Sequence, residues 1–175
     1  MTQRPHVLFV DDEPMIIDGL RRMLRICRDR WVMSFADGGA AALDVMRSRP
    51  CDVVVTDYRM PEMDGAALLE QVRTEFPGTV RVILSGQTNE SNLLRIMVLA
   101  HEMLSKPTTP EVLIAVIERL LDARMRTGSG HQSAVAFVES LPSPPHTFAE
   151  LLAALDGFFD LLHQIFLFHI FLLPL

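Results

Sequence analysis

With 22 acidic against 16 basic residues over 175 positions, a net charge of −6, the chain has room for one fully cored domain plus an appendage. Hydrophobic residues make up 49% and charged residues 22%, which excludes a disordered chain. All 16 basic residues lie at or before Arg126; from Thr127 onward there are four acids and no Lys or Arg, so no basic face exists there to neutralise nucleic-acid phosphates, and no nucleic-acid output domain is expected.

The first residues lead straight into an apolar run, His6 to Val10, that ends in acids, so no signal peptide is expected. Cys27 and Cys51 have neither metal-site spacing nor a disulfide framework around them, and read as two buried, reduced thiols of a cytoplasmic protein. The His6–Val10 run is continuous, as a strand buried on both faces requires. Pro14 opens a helix to about Arg28, with Ile16, Ile17, Leu20, Met23, Leu24 and Cys27 as its apolar stripe. Trp31 to Ala36 is a second strand. Asp37-Gly38-Gly39 then turns into a helix that Pro50 stops. Val53 to Thr56 is a third strand, followed by a loop with Pro61 and Gly65 and a helix from Ala66 to about Phe76. Beyond Pro77-Gly78, Val80 to Leu84 is a fourth strand and about Glu90 to Ala100 a fourth helix. Met103 to Ser105 is a short fifth strand. Pro110 starts a last helix, with Val112, Leu113, Val116, Ile117, Leu120 and Leu121 inward, ending near Met125.

Strands alternating with helices of this length indicate right-handed βαβ crossovers: an α/β, doubly wound, five-stranded parallel sheet. In such sheets the ligand site lies at the carboxyl ends of the strands. Strand one ends in Asp11-Asp12, strand three in Asp57, strand four in Ser85-Gly86 and strand five in Lys106-Pro107. Three carboxylates, a hydroxyl and an ammonium therefore meet on one rim. Carboxylates packed together repel unless a cation is present, and Mg²⁺ takes one or two of them with waters and phosphate oxygens. An Asp carboxylate can attack phosphorus to form an aspartyl phosphate. Lys106 and the metal would neutralise charge on the transferred group, and the Ser85 hydroxyl would donate to it.

Each part has a plainer reading when taken singly. Asp11-Asp12 could be a solvated helix start, Asp57 a turn former and Ser85-Gly86 a turn. Lys106 says more, because it is the only lysine against 15 arginines. A compact ammonium where composition favours guanidinium points to a site that a planar fork would not fit. Together, on the right strands, the parts outweigh the plain readings.

The stretches Val7-Leu8-Phe9-Val10-Asp11-Asp12-Glu13, Val53 to Gly65 with its Asp57-Tyr58-Arg59-Met60-Pro61, Val82-Ile83-Leu84-Ser85-Gly86 and Leu104-Ser105-Lys106-Pro107 resemble the two-component response-regulator receiver family across nearly all of residues 5–125. The resemblance implies the flavodoxin-like receiver fold with strand order 2-1-3-4-5. It implies Asp57 as phosphoacceptor, Asp12, Asp57 and the Arg59 carbonyl as direct Mg²⁺ ligands, and Asp11 as a ligand through water. Ser85 and Lys106 would contact the phosphoryl group, the Lys106-Pro107 bond would be cis, and the donor would be a histidine kinase or phosphotransfer protein. The chain would be no enzyme beyond its own phosphorylation and dephosphorylation. A homodimer and any output contact would use the face of helix four, strand five and helix five, with Leu94, Met97, Val98 and Val112. The family usually has an aromatic switch residue three before the lysine, where this chain has Met103. The flexible Met103 could repack in its stead, though the plainer reading is that it merely fills core.

Residues 1–126 are thus expected to form the receiver, and 127–145 a linker and the start of an output domain. Leu84 to Thr88, Ala100-His101 and Leu141-Pro142-Ser143-Pro144-Pro145 resemble regulators with an HDOD output, a domain too long for what remains. Residues 146–175 read as a truncated or frame-shifted output segment; their hydrophobic run is too short and interrupted to span a bilayer, so a membrane partner is not expected. The main reading is a phosphoacceptor switch with a non-DNA output. Rivals are the receiver of an HD-GYP-type cyclic-dinucleotide phosphodiesterase whose effector is missing, and a stand-alone receiver acting by docking. A dehalogenase-type phosphohydrolase is disfavoured, since the second acid it needs two residues after the nucleophile is here Arg59.

Overall fold

The computed structural model describes residues 4–86, 95, 96 and 98–126. The expected linker and tail, Gln87, Leu94, Met97 and most of the fourth helix lie outside the described residues. Three strands are buried along their whole length: β1 (His6–Val10) and β3 (Val53–Asp57), which grow from continuous apolar runs, and β4 (Val80–Ser85), whose run is broken by Arg81. β2 (Val32–Ala36) and β5 (Glu102–Ser105) form the edges and are only half-buried. All four pairings are parallel, in the order β2-β1-β3-β4-β5. This is the doubly wound receiver order.

The helices follow their start signals. α1 (Pro14–Met23) has its proline in the first turn, where no N–H is needed. It continues as a 3₁₀ turn over Leu24–Cys27 rather than as the single α-helix to Arg28 that the periodicity predicts. α2 spans Gly39–Ser48 and α3 spans Gly65–Glu75. The Asp64 carboxylate caps α3 by accepting from the Ala67 N–H at 2.6 Å. Arg95, Ile96, Val98 and Leu99 are helical, and the last helix runs Pro110–Arg126.

Alternation along the strands sorts side chains into two layers. Leu8, Val10, Val54 and Ile83 pack with α2, α3, Ile96 and Leu99. Val7, Phe9, Val53, Val55, Val80 and Val82 pack with Leu20, Leu24 and Cys27 and with Leu113, Ile117 and Leu120 of the last helix. Both cysteines are free and buried, and burial pushes the Cys51 thiol up to about 12. Three residues expected inward are exposed instead: Ile16, Met23 and Val112. Val112 precedes Leu113 by about 100° of helix rotation, which turns it off the stripe that Leu113 and Ile117 define. Ile16 and Met23 sit on the flank of the α1 stripe for the same reason.

One buried cation forms no salt bridge among the described residues. Arg81 of β4 donates from Nε to the Leu99 carbonyl at 2.7 Å, capping the end of the helix that Leu99 belongs to. Its backbone N–H donates to His101 Nδ1 at 2.9 Å, and its guanidinium lies 2.9 Å from Nε2. Burial, and then the Arg81 charge, push His101 down to about 3. A neutral imidazole offers one acceptor nitrogen and an imidazolium none. The unfolded chain therefore binds a proton that the folded chain refuses, between an ordinary pKa near 6.5 and about 3. Stability supplied by neutral His101 is complete above pH 6.5 and falls as the pH drops through that window, by up to about 1.4 kcal/mol per unit. Urea unfolding from pH 7 to pH 4.5 should show a shallower acid loss in His101→Gln than in the parent protein.

Candidate functional site

Every strand that carries an expected site residue delivers it at the same rim. Asp11 and Asp12 follow β1 directly, Asp57 is the last residue of β3, Ser85 the last of β4, and Lys106 follows β5. Backbone bonds hold these ends in register: Tyr58 N–H donates to the Leu84 carbonyl at 3.0 Å, and Lys106 N–H to the Ser85 carbonyl at 2.7 Å. Asp37 follows β2, which lies on the far side of β1 from β3, β4 and β5.

Lys106 is the hub. Its Nζ lies 2.6 Å from Asp57 Oδ1 and donates to Asp11 Oδ2 at 3.1 Å. The other Asp57 oxygen accepts from the Arg59 N–H at 2.9 Å, and the other Asp11 oxygen from the Glu13 N–H at 3.0 Å. Asp11 and Asp57 are both buried. Burial is the largest single influence on Lys106 and lowers its pKa, but bonds and charges from Asp57 and Asp11 outweigh it and leave the pKa raised. The ammonium is therefore charged throughout the neutral range.

Two buried carboxylates face one ammonium, and Asp12, half-buried, adds a third acid next in sequence. The donor set is short of positive charge, which suits a hard divalent cation. Among the described residues no group of three or more His, Cys, Asp or Glu side chains is gathered as a ready-made metal cage. Mg²⁺ does not require one, since one or two carboxylates with waters and phosphate oxygens suffice. The residues present fit that ion: the buried carboxylates of Asp11 and Asp57, with Asp12 next in sequence, would offer it oxygens, as would the Arg59 carbonyl that the resemblance implies.

The remaining expected residues are Ser85, Pro107 and Met103. Ser85 is buried at the end of β4, and the Lys106–Pro107 peptide is cis. Met103 lies on the edge strand with 41% of its surface exposed, so it does not fill core. Alternation along β5 puts Met103 and Ser105 outward, which the inward reading of Met103 overlooked.

Two positions matter more than sequence reading foresaw. Gly65 starts α3 against the backbone at the end of β3: a Cβ there would stand 2.1 Å from the Asp57 carbonyl oxygen and 3.0 Å from Tyr58 Cα. Asp64 does two tasks, capping α3 with one oxygen and pairing with Arg95 through the other at 2.9 Å. An Asp just before a helical pattern was the available signal for the cap; the pairing has none in sequence.

Comparison with known proteins gives concordant matches. The family description "Response regulator receiver domain" fits residues 7–118. A hydrogenase transcriptional regulatory protein, HoxA of Cupriavidus necator, is 30% identical over 156 residues, covering 88% of this chain and 32% of that protein. A probable transcriptional regulatory protein, NarL of Mycobacterium tuberculosis, is 39% identical over 82 residues, 46% of this chain and 38% of its own length. The chain thus spans only about a third of these curated relatives. Among solved structures, the signal receiver domain of an HD domain-containing protein from Pseudomonas fluorescens Pf-5 superposes with a TM-score of 0.65 at 27% identity, over 69% of this chain and 96% of that one.

Proposed function

The chain belongs to the response regulator receiver family, and from that premise we propose that it takes a phosphoryl group on Asp57 from a histidine kinase or phosphotransfer protein, with Mg²⁺ at the same site. The observation that carries this reading is Lys106 Nζ held between the carboxylates of Asp57 and Asp11 at 2.6 and 3.1 Å, at the end of β3. In the transfer, an Asp57 oxygen forms a bond to phosphorus as the donor's bond to phosphorus breaks. Bound Mg²⁺ would offset charge on the oxygens of the transferring group. Lys106 swings from Asp57 to an oxygen of the new phosphoryl group, and the Ser85 hydroxyl donates to another. The chain turns over nothing beyond its own phosphorylation and dephosphorylation.

The signal leaves through differential contacts, since a ligand shifts a two-state equilibrium only by contacts that differ between states. Phosphorylation adds about −1.5 to −2 charges, drawing Ser85 and Lys106 inward at the ends of β4 and β5. Val98, Met103 and Val112 are exposed on the neighbouring helix, β5 and the last helix. This face is where an output segment or a second phosphorylated receiver would dock. In the NMR spectrum, beryllofluoride with Mg²⁺ should shift amides near Asp57 and along β5 and the start of the last helix. Met103→Tyr should change the second set and spare the first. Shifts confined to the surroundings of Asp57 would refute the route.

We keep a non-DNA role as the reading for residues 127–175 alone, which carry no Lys or Arg. The likeness to the receiver of an HD domain-containing protein favours an HD-type effector as a second reading. Relatives named as transcriptional regulators keep a DNA-binding output as the competitor. The in-frame sequence after Pro145 separates these. We place the protein in the cytoplasm; no described helix is long and apolar enough to cross a membrane.

A further inference from the structure

Asp64 stands where two parts of the domain meet. One carboxylate oxygen accepts from the Ala67 N–H at 2.6 Å and caps α3. The other accepts from Arg95 Nη1 at 2.9 Å, on the fourth helix. The capped end of α3 is itself fixed to the strand that carries Asp57. Gly65 N–H donates to the Tyr58 carbonyl at 2.9 Å, and a Cβ on Gly65 would stand 2.1 Å from the Asp57 carbonyl oxygen. At that clearance the start of α3 cannot stay in place while the backbone of Asp57 and Tyr58 moves. A displacement at the end of β3 therefore reaches Asp64, and Arg95 is bonded to it there. Tyr58, buried next to Asp57, lies near both charges: burial and then Asp64 raise its pKa, while Arg95 and Arg59 lower it.

One turn later the fourth helix is held in a different way. Arg81, 7% exposed, donates to the Leu99 carbonyl at 2.7 Å, and the His101 N–H donates to the Arg81 carbonyl at 2.8 Å. The side chains of Arg95 and Asp64 are 47% and 35% exposed, so water competes for their bond. A buried, charge-assisted hydrogen bond is stronger than an ion pair that water reaches. The contact at Arg95 is thus the weaker of the two, and the one that yields first when the helix is pulled.

We propose that Asp64 and Arg95 form a positioning pair that couples the backbone of the phosphoacceptor to the fourth helix and holds that helix in its unphosphorylated arrangement. The inference rests on the phosphoacceptor reading and adds to it a second route, through the start of α3 instead of the ends of β4 and β5. Phosphorylation shifts the end of β3, carries the capped end of α3 with it and parts Asp64 from Arg95. The helix then turns about its anchor at Arg81, which moves Val98. Neither Asp64 nor Arg95 belongs to the phosphoryl or metal site.

Titration of the full chain with beryllofluoride and Mg²⁺, followed by NMR amide shifts, tests the pair. Asp64→Asn keeps the cap, since asparagine serves as well at that position, and removes the charge that Arg95 binds. Arg95→Gln removes the other partner. By linkage, a pair that favours the unliganded arrangement weakens beryllofluoride binding by the factor it contributes. Each variant should therefore bind beryllofluoride about threefold more tightly than the parent, as suits an exposed ion pair. The double variant should bind no more tightly than either single. Arg95→Lys should restore the parent affinity. Without ligand, the amides of Ile96 and Val98 should move in each variant part of the way along the line they follow in the parent on binding, while those of Arg81 and His101 stay. Equal affinity in the parent and Arg95→Gln, additive gains in the double variant, or Arg95→Lys no nearer the parent than Arg95→Gln would overturn the proposal while beryllofluoride still bound. A parent chain that neither binds beryllofluoride nor labels at Asp57 would instead refute the phosphoacceptor reading, and this inference with it.

Discussion

Lys106→Met is expected to lower the stability of the metal-free protein by about 3 kcal/mol at pH 8. The methionine keeps much of the apolar stem and removes the ammonium that lies 2.6 Å from Asp57 and 3.1 Å from Asp11. Two buried carboxylates are then left uncompensated, and removing one partner of a buried ionic group costs far more than the group adds when complete. The cost should depend on pH in a defined direction. In the parent protein the raised Lys106 pKa gives a contribution fully present below the ordinary lysine pKa and lost only as alkali titrates the ammonium. It is therefore constant from pH 5 to 8. Adding Mg²⁺ should narrow the gap between variant and parent, since the cation replaces the missing charge. Urea titrations with and without Mg²⁺ check this. A small loss that Mg²⁺ leaves unchanged would show that Lys106 does not balance the two acids.

Gly65→Ala should be the most damaging of the glycine-to-alanine changes among the described residues, at about 3 kcal/mol or more. Its Cβ would stand 2.1 Å from the Asp57 carbonyl oxygen and 3.0 Å from Tyr58 Cα, and these are backbone atoms that no rotamer change can move aside. Relief requires α3 to back away from β3, breaking the Gly65 N–H bond to the Tyr58 carbonyl at 2.9 Å and displacing Asp57. Stability and phosphorylation should therefore fail together. Gly86→Ala is the control: a Cβ there meets nothing within 4 Å, and its effect should stay within about 0.5 kcal/mol. Thermal melts of the two variants decide it, and equal losses would discount the contact.

The sheet was legible because parallel strands buried on both faces read as apolar runs, unbroken in Val7–Val10 and Val53–Val55 and interrupted by Arg81 alone in Val80–Leu84. Strand-end chemistry was legible because topology puts ends of non-adjacent segments together: Asp11, Asp57 and Lys106 are far apart in the chain and meet within 3.1 Å. Periodicity was weaker at stripe edges, where a residue about 100° off centre is either covered or exposed according to its neighbours; Val112 and Met23 fell on the exposed side. Arg81 was invisible as a special residue, since inside Val80-Arg81-Val82 nothing shows that the guanidinium turns to the Leu99 carbonyl and His101. The same holds for Gly65, whose role depends on a backbone passing within van der Waals reach.

The central claim is that Asp57 is the phosphoacceptor of a Mg²⁺-dependent switch, and intact-mass spectrometry after incubation with a small phosphodonor tests it most directly. The account predicts one added phosphoryl group in the presence of Mg²⁺, none when the metal is chelated, and none in Asp57→Asn. The adduct should be lost in hydroxylamine, which cleaves acyl phosphates. Equal labelling of Asp57→Asn, or labelling indifferent to Mg²⁺, would contradict it.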